Sequence, residues 1–412
     1  MNRGQLEQRL LVLVTLALVA FGLVMVYSAT SASAAIGDGD PMTYLKKHAV
    51  YAVLGFGLMI AASRFDNRRL RLLAPPLVLG SLVLCAAVLA VAPEINGARR
   101  WLYLGPVSFQ PSEVAKLSLL LFAAGYLARN GPPRSLGELW RPIGLVATVF
   151  AGLFLLQPDL GTTISLALML SGMLVVAGVP ARTLAAGGGL AVTLGLVAIW
   201  AAPYRRERLL SFLDPWADPE DTGFQTVQAT IGLGSGGLTG EGLGQSVQKI
   251  NYLPEAHTDM ILAIIGEELG LIGTTAVIAA FAAFAFAGFT IALRARDPFG
   301  KLLAAGITSL VCGQAAVNLA AVLGIAPLTG IPLPFVSFGG TSLLVLLASV
   351  GILLNIAVDE RAPSRASQSR AANSDRRRRN SRPRAAGARG GGGAARARRS
   401  GDVRRVAGSR RG

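Results

Sequence analysis

The chain has 412 residues, of which 52% are hydrophobic and only 15% are charged. Soluble domains have about a quarter of their residues charged, so this composition excludes an ordinary soluble protein and favours a membrane protein. The formal net charge of +16 is concentrated in one tail, because the segment from Asp359 onward has 17 arginines and 4 acidic residues and so accounts for +13 of it.

The apolar residues form ten runs that approach the length needed to cross the roughly 30 Å hydrocarbon core of a bilayer. Residues 1–358 are therefore predicted to form an all-α polytopic membrane domain with about ten transmembrane helices. The second and fifth runs are short for a span, and Met260–Glu268 either extends the eighth or forms a separate short helix. The predicted spans are Leu10–Tyr27, Ala49–Ala62, Leu72–Val91, Val114–Ala128, Ile143–Leu156, Thr162–Gly178, Leu184–Ala201, Leu269–Leu293, Leu302–Leu323 and Thr341–Ala357.

Ten spans place both termini on one side of the membrane, and the distribution of lysine and arginine selects that side. With the termini inside, the outer loops contain fewer basic residues than the inner loops, whose basic residues include those of Arg64–Arg71, Arg129–Arg141 and Arg294–Lys301. We therefore expect both termini to be cytoplasmic, and the first span to be a retained anchor rather than a cleaved signal peptide. The outer loops are then residues 93–112, 203–259 and 324–340, and the largest lies between helices 7 and 8.

Residues 359–412 form a basic tail rich in arginine, alanine, glycine and serine. This composition cannot bury enough apolar surface to fold, so a disordered cytoplasmic tail is predicted. Anionic lipid headgroups are the expected partner of its arginines. An acidic cytoplasmic protein is the alternative partner, and nucleic acid is not expected.

Charged residues flank the start of the fourth span. Arg99 and Arg100 have guanidinium groups suited to a pyrophosphate, and Trp101 is typical of a membrane interface. In the motif FQPSEVAK, Glu113 and Lys116 are three residues apart and share a helical face. Ionisable residues within a membrane indicate function, although a structural ion pair would give the same pattern.

Two further polar residues of the outer segments are candidates for binding a substrate. Gln110 lies in FQPSEVAK directly before the fourth span, and Asp159 lies in the short outer turn QPDLG. An ordinary turn residue is the simpler interpretation of Asp159.

The longest outer loop begins with PYRRER, which contains Arg205, Arg206 and Arg208. Three arginines on the outer side oppose the usual charge distribution, and their guanidinium groups match a pyrophosphate. Contact with the membrane surface is the alternative.

The same loop ends in NYLPEAHTD, where Glu255, His257 and Asp259 reach the membrane boundary. A carboxylate at such a boundary is partly desolvated, which raises its pKa and makes it a better base. The alternative is that Thr258 or Asp259 only caps the next helix.

The last outer segment, PLTGIPLPFVSFGGTS, contains Ser337, Gly339 and Gly340 and has too many prolines and glycines for a continuous helix. It is either a structural re-entrant loop or part of a site. The sequence has no GxxxxGK[ST], CxxC, HExxH or GxSxG motif, so neither a nucleotide nor the chemistry of a zinc or serine hydrolase is expected.

Taken together, four of these motifs resemble the SEDS family of membrane proteins. They are NGARRWLYLGPVSFQPSEVAK, LLQPDLGT, LPEAHTDMILAIIGEELG and PLTGIPLPFVSFGGTS, and the resemblance extends from Leu10 to Asp359. Met260 replaces the usual phenylalanine and Phe338 a frequent tyrosine, and neither change affects a charged position. The segments GEGLGQSVQKINYLPEAHTD and YRRERLLSFLDPWADP are more similar to the division type than to the elongation type.

The resemblance implies a peptidoglycan glycosyltransferase that polymerises lipid II onto an undecaprenyl-pyrophosphate-linked glycan. The family's catalytic aspartate falls on Asp259, and its Glu/Lys pair falls on Glu113 and Lys116, with Glu255 and His257 as supporting candidates. A class B penicillin-binding protein and other divisome proteins are the implied partners, at the septal inner membrane. A divalent cation, Mg or Mn, is a candidate cofactor, and a lipid II flippase, an elongation-type polymerase or a non-catalytic scaffold are the rival interpretations.

Overall fold

The computed structural model describes residues 3–36, 42–95, 97–105, 107–250 and 253–359, so the predicted tail lies outside the described residues except for Asp359. Helices dominate these ranges, with a π-helical turn at Trp140–Gly144 and a two-stranded sheet. The helices are α1 (Arg3–Ile36), α2 (Met42–Ser63), α3 (Asn67–Val91), α4 (Pro111–Asn130), α5 (Leu136–Leu139), α6 (Leu145–Leu156), α7 (Leu160–Ala177), α8 (Ala181–Trp200), α9 (Pro203–Leu213), α10 (Phe224–Ser235), α11 (Ile261–Arg294), α12 (Pro298–Val322) and α13 (Gly340–Asp359).

Within the described residues, nine segments are long and apolar enough to cross a membrane. They confirm a polytopic all-α membrane protein. The predicted second span is a full helix, Met42–Ser63, and is therefore not short. The predicted fifth span is short as a regular helix, since α6 has only 12 residues. The apolar segment Leu136–Leu156 reaches spanning length by including α5 and the π-helical turn, with non-helical backbone at Arg141. The predicted fourth span lies on α4, which has 20 residues but is less apolar than the others because it contains Glu113 and Lys116.

Local sequence explains where several of these helices begin and end. The side chain of Asp159 accepts a hydrogen bond from the amide of Thr162 and caps α7, and Asp297 caps α12 in the same way through Gly300. Pro111 occupies the first turn of α4, where its missing N–H costs nothing. Gly178 ends α7 in the left-handed conformation, which glycine adopts without strain.

Two helices form the centre of the bundle. Most of α4 is buried, and it packs against α3, α12 and α7, while α12 also packs against α11. The pairs α2–α13 and α1–α11 flank this centre. By contrast α8 buries almost none of its surface, with Thr183 as its buried residue, so it lies at the periphery.

The loops that the charge pattern predicts to lie on the outer side of the membrane meet at one end of the bundle. A short antiparallel hairpin, β1 (Leu102–Leu104) and β2 (Val107–Phe109), precedes α4 and was not predicted from the sequence. The hairpin is joined to α13 by Thr341, which donates to the carbonyl of Ser108 at 3.0 Å. We call this the loop end of the bundle.

The structure resolves the question of Met260–Glu268. Ile261–Leu269 is a short helical segment, and Gly270, with φ 63° and ψ −157°, interrupts the helix before it continues to Arg294. The eighth predicted span therefore begins after a break, and the short segment that precedes it starts directly after Asp259.

Candidate active site

A cavity of about 980 Å³ opens among α4, α6, α7, α8 and α9 and the segments 255–259 and 327–332. Its walls between α6, α7 and α8 are apolar, whereas its surface at the loop end is polar and charged. Most of the predicted site residues line this cavity. They are Asp259, Glu255, Glu113, Lys116, Arg205, Arg208, Arg100, Trp101, Gln110, Asp159 and Gly339.

Asp259 lies at the loop end of the cavity, two residues before α11 begins. Its carboxylate accepts a hydrogen bond from the hydroxyl of Thr258 at 3.2 Å. Burial raises the pKa of Asp259 from its ordinary value of 3.8 to about 6, and the negative charge of Glu255 raises it further, while Thr258 and Arg208 act in the opposite direction. A carboxylate with such a pKa is ionised at neutral pH and is still a good proton acceptor.

A residue that sequence reasoning missed fixes the backbone of Asp259. The side-chain amide of Asn318, on α12, donates to the carbonyl of Asp259 at 2.7 Å and to that of Ile331 at 2.8 Å. Asn318 therefore ties the end of the long loop to the segment 324–340. A buried asparagine within an otherwise apolar span was the available signal.

Glu113 and Lys116 form the predicted ion pair, with Nζ 2.7 Å from Oε1 and with both side chains at most 5% exposed. Both line the cavity. Among the described residues, the second carboxylate oxygen of Glu113 has no hydrogen-bond partner. The pair thus borders the cavity with two buried charges and leaves one buried oxygen of Glu113 without a partner.

Two of the three PYRRER arginines line the cavity. Arg208 lies over the ring of Tyr204, 4.7 Å from its centroid, and makes only a long contact of 3.5 Å with the carbonyl of Leu328. Arg205 donates to the carbonyl of Ala198 at 3.0 Å and to that of Leu155, and burial followed by the charge of Arg100 lowers its pKa. Arg206 is exposed outside the cavity.

Arg100 and Asp159 organise the cavity wall. Arg100 donates from Nε to the carbonyl of Gln157 at 2.9 Å and from Nη2 to that of Pro158. Asp159 accepts from Thr162, as the cap of α7, and from the side chain of Gln110 at 3.3 Å. These contacts position the turn before α7, and direct contact of these residues with a substrate stays a prediction.

His257 does not line the cavity. Its ring packs against Tyr44, with 4.6 Å between centroids, and against Phe338, which also contacts His48. Burial lowers the pKa of His257, and the charge of Glu255 partly opposes this shift. The two histidines of the chain thus meet in one aromatic cluster, and this packing favours a structural role for His257.

Three other predicted residues, Ser337, Gly340 and Arg99, also lie at the loop end. Ser337 is buried and accepts a hydrogen bond from the amide of Leu333, and Gly339 borders the cavity. A side chain at Gly340 would overlap the ring of Tyr51, so this glycine serves packing. Arg99 is exposed and contacts Glu94 at 3.7 Å, away from the cavity.

Among the residues that the structure describes, no group of three or more His, Cys, Asp or Glu side chains could hold a metal ion. Asp259 and Glu255 are the two carboxylates of the segment 255–259 that line the cavity. A divalent cation at this site would need further oxygen ligands from a substrate.

Fold and cavity together define a multi-pass membrane protein with a carboxylate-containing site at one end of its helices. A family profile described as cell cycle protein, for FtsW, RodA and SpoVE, matches residues 8–362. The chain belongs to this family, which confirms the resemblance drawn from the motifs.

Individual relatives agree with this assignment. A probable peptidoglycan glycosyltransferase FtsW of Geobacter sulfurreducens is 43% identical over 349 residues, which cover 84% of this chain and 94% of that protein. Another, of Halomonas elongata, is 39% identical over 368 residues, which cover 88% of this chain and 93% of that protein.

Two solved structures share the fold. A chain described in work on structural coordination of polymerization and crosslinking by a peptidoglycan synthase complex has a TM-score of 0.71 and 34% identity, covering 86% of this chain and 98% of that chain. The rod shape determining protein RodA of Thermus thermophilus has a TM-score of 0.63 and 31% identity, covering 86% of this chain and 97% of that chain.

Proposed function

We propose that this protein is a peptidoglycan glycosyltransferase that polymerises lipid II at the outer face of the cytoplasmic membrane during septal wall synthesis. The observation that carries the proposal is the partly buried carboxylate of Asp259, placed at the charged end of a cavity whose other walls are apolar. Relatives named FtsW at 43% and 39% identity support the division role over the elongation role.

Asp259 is the catalytic base in this proposal. With a pKa of about 6 it is ionised at neutral pH, and it takes the proton of the GlcNAc 4-hydroxyl of lipid II. That oxygen forms a bond to the anomeric carbon of the growing strand, and the bond from this carbon to the undecaprenyl pyrophosphate breaks. Configuration inverts because a single displacement forms no covalent enzyme intermediate.

Arg208 is the best-placed cation to stabilise the leaving pyrophosphate. It lines the same cavity and lies close enough to Asp259 to lower the pKa of that carboxylate. Its guanidinium has five N–H donors, and within the described part of the chain it makes one long hydrogen bond to protein, so donors remain for phosphate oxygens. A divalent cation, Mg or Mn, would supply additional positive charge to the pyrophosphate when bound.

The apolar walls of the cavity suit the polyprenyl chains of both substrates. Residues such as Leu155, Leu168 and Ile199 line the part between α6, α7 and α8, where the peripheral α8 borders the lipid. A chain of isoprene units buried there gains about 25 cal/mol for each Å² removed from water. The activated sugar then lies at the charged end, beside Asp259.

The proposed partner is a class B penicillin-binding protein that crosslinks the new strands, within the divisome at the septum. A solved neighbour that belongs to a peptidoglycan synthase complex supports this partner. Multi-pass insertion follows from the nine apolar segments of the described residues, and the inner membrane is the compartment where lipid II is presented.

The test is polymerisation by the full-length protein, purified with its cognate penicillin-binding protein and supplied with lipid II. Transpeptidation is blocked, and glycan length is measured for the wild type and for Asp259→Asn, with and without Mg²⁺ or Mn²⁺. We expect long glycan from the wild type and none from Asp259→Asn, because the amide cannot accept the proton.

Asp221→Asn is the matched control, since Asp221 is an exposed aspartate of the same long loop and does not line the cavity. It is expected to polymerise like the wild type. Normal polymer from Asp259→Asn would refute the assignment of the base. Absence of polymer from all three proteins, with lipid II translocated across vesicles, would favour the flippase interpretation.

A further inference from the structure

A glycine-rich strap, defined as Gly236–Lys249, packs against the start of α11 and has no role in the mechanism above. Gly236 and Gly240 lie so close to the α11 backbone that an added Cβ would be 1.9 Å from the carbonyl oxygen of Gly266 and 2.2 Å from that of Glu268. Gly236 and Gly240 are therefore required by the close packing of two backbones.

The strap replaces hydrogen bonds that the break at Gly270 removes from α11. In an unbroken helix the amides of Leu271 and Ile272 would donate to the carbonyls of Glu267 and Glu268. Instead they donate to the strap, to the carbonyls of Gly237 and Leu238, at 2.9 and 3.2 Å. The carbonyls of Glu267 and Glu268 accept from the strap amides of Glu241 and Gly242, at 2.9 and 3.0 Å.

Two buried carboxylates then fasten the strap to the short helical segment. Glu267 accepts hydrogen bonds from the amide of Val247 at 2.8 Å and from the hydroxyl of Ser246. Glu268 pairs with Lys249 at 2.9 Å, and it accepts from Ser28 of α1 at 2.6 Å. The side chains of Lys249 and Glu268 are 3% and 0% exposed.

The short helical segment that these carboxylates join to the strap directly follows the loop that contains the proposed base, Asp259. Asp259 lies two residues before Ile261, and Ile261–Ile265 are fully buried. Because buried side chains are closely packed, the position of this segment depends on the strap that packs against it. Lys249 and Glu268 do not line the cavity, so direct contact with substrate does not account for their burial. A buried ion pair is costly to desolvate and adds little net stability. Its role here is therefore to fix the position in which the strap docks on α11.

We propose that Lys249, Glu268 and Ser28 form a positioning cluster that locks the strap onto the broken α11 and thereby fixes where the carboxylate of Asp259 sits in the cavity. The inference rests on the proposed function, because it assigns these residues a role in that same reaction. They are positioning residues and not catalytic ones.

The decisive variant is Glu268→Gln in the full-length protein with its penicillin-binding protein, since it keeps the shape of the side chain and removes the negative charge that pairs with Lys249. We expect kcat to fall by roughly 100-fold with KM for lipid II unchanged, because a base misplaced by about 1 Å loses that much rate. Lys249→Met/Glu268→Gln removes both charges and is expected to regain most of kcat. Ser28→Ala, which removes one hydrogen-bond donor, is the milder variant if Glu268→Gln fails to fold.

Glu241→Gln is the matched control, because Glu241 is an exposed strap residue that docks through its backbone amide. An activity-independent readout is the pH dependence of carbodiimide labelling at Asp259, measured by peptide mass spectrometry. Loosening the strap admits water to Asp259, so Glu268→Gln should move the labelling midpoint to lower pH, whereas Glu241→Gln should not.

The two readouts separate the possible failures. Wild-type kcat in Glu268→Gln, or a loss of kcat with an unchanged labelling midpoint, would overturn the positioning role while the polymerase assignment stands. If the wild type makes no glycan, the proposed function fails, and the labelling midpoint alone then decides whether the cluster positions Asp259.

Discussion

Two buried lysine–glutamate pairs lie near the loop end of the bundle, and they differ in what surrounds them. Glu113–Lys116 joins residues three apart on α4, with 2.7 Å between Nζ and Oε1, and lines the cavity. Lys249–Glu268 joins the strap to α11 at 2.9 Å and does not line it. We call them the open pair and the closed pair.

The two pairs also differ in how completely their carboxylates are hydrogen-bonded. In the closed pair, Ser28 donates to the two carboxylate oxygens of Glu268 at 2.6 and 2.8 Å, and Lys249 donates to the same carboxylate at 2.9 Å. In the open pair, one oxygen of Glu113 has no partner among the described residues. Both pairs incur the cost of desolvating two charges, and the comparison teaches that the pair bordering the cavity is the one with an unsatisfied acceptor.

The largest expected effect comes from breaking the open pair. Lys116→Met leaves Glu113 as a buried unpaired charge, which should cost about 3–5 kcal/mol of stability and abolish polymerisation. Denaturant-induced unfolding of the purified protein and glycan yield measure the two consequences.

Neutralising both members of each pair sharpens the comparison. Glu113→Gln/Lys116→Met should recover most of the stability but none of the polymerisation, because the charge facing the cavity is gone. Lys249→Met/Glu268→Gln should recover both. Equal recovery of activity by the two double variants would show that the open pair is structural as well.

The next largest effect tests the closed pair without changing its charges. Gly270→Ala places a Cβ 2.5 Å from the amide of Gly240 in a backbone conformation, φ 63°, that alanine adopts with a strain of about 1–3 kcal/mol. We expect loss of kcat similar to that of Glu268→Gln. Gly234→Ala is the control, since open space surrounds Gly234, and equal activity of the two alanine variants would contradict a role for the strap.

The third effect is on the pH dependence of the rate, and it concerns Asp259, which lines the same cavity as the open pair. The base must be ionised, so the rate should fall tenfold for each pH unit below the pKa of Asp259, which is about 6. Because this pKa is raised from 3.8 by burial, the folded state binds the proton more tightly, and the associated stability is lost as pH rises from about 4 to about 6.

Arg208→Gln tests whether the acidic limb of the pH–rate profile reports the ionisation of Asp259. Arg208 lowers the pKa of Asp259, so its removal should move the acidic limb of the pH–rate profile to higher pH. Arg206→Gln, at an exposed position outside the cavity, should leave the limb in place. A limb that does not move in Arg208→Gln would mean that it reports a group other than Asp259.

The sequence predicted the open pair but not the closed pair, for a physical reason. Glu113 and Lys116 share a helical face, so their spacing alone predicted that they would pair. The contacts that hold the strap and Glu268 join residues far apart in the chain, 21 positions for Ser246–Glu267 and 240 for Ser28–Glu268, and no periodicity predicts such pairings. The signal that remained was the pair of acidic residues in GEELG, within an otherwise apolar stretch.

The smallest expected effect extends the comparison to two adjacent arginines. Both were predicted to bind substrate, yet Arg100 lines the cavity and Arg99 is exposed, 3.7 Å from Glu94. An exposed ion pair contributes about 0–1 kcal/mol, so Arg99→Gln should leave stability and polymerisation nearly unchanged.

Arg100→Gln should differ from Arg99→Gln in both measurements. Arg100 donates to the carbonyls of Gln157 and Pro158, and hydrogen bonds from a charged donor are worth about 1.5–3 kcal/mol each. Losing them frees the turn that precedes α7 and lowers the glycan yield. If Arg99→Gln instead reduced polymerisation as strongly as Arg100→Gln, a substrate would have to reach beyond the cavity to the hairpin. The substrate-binding surface would then be larger than the cavity itself.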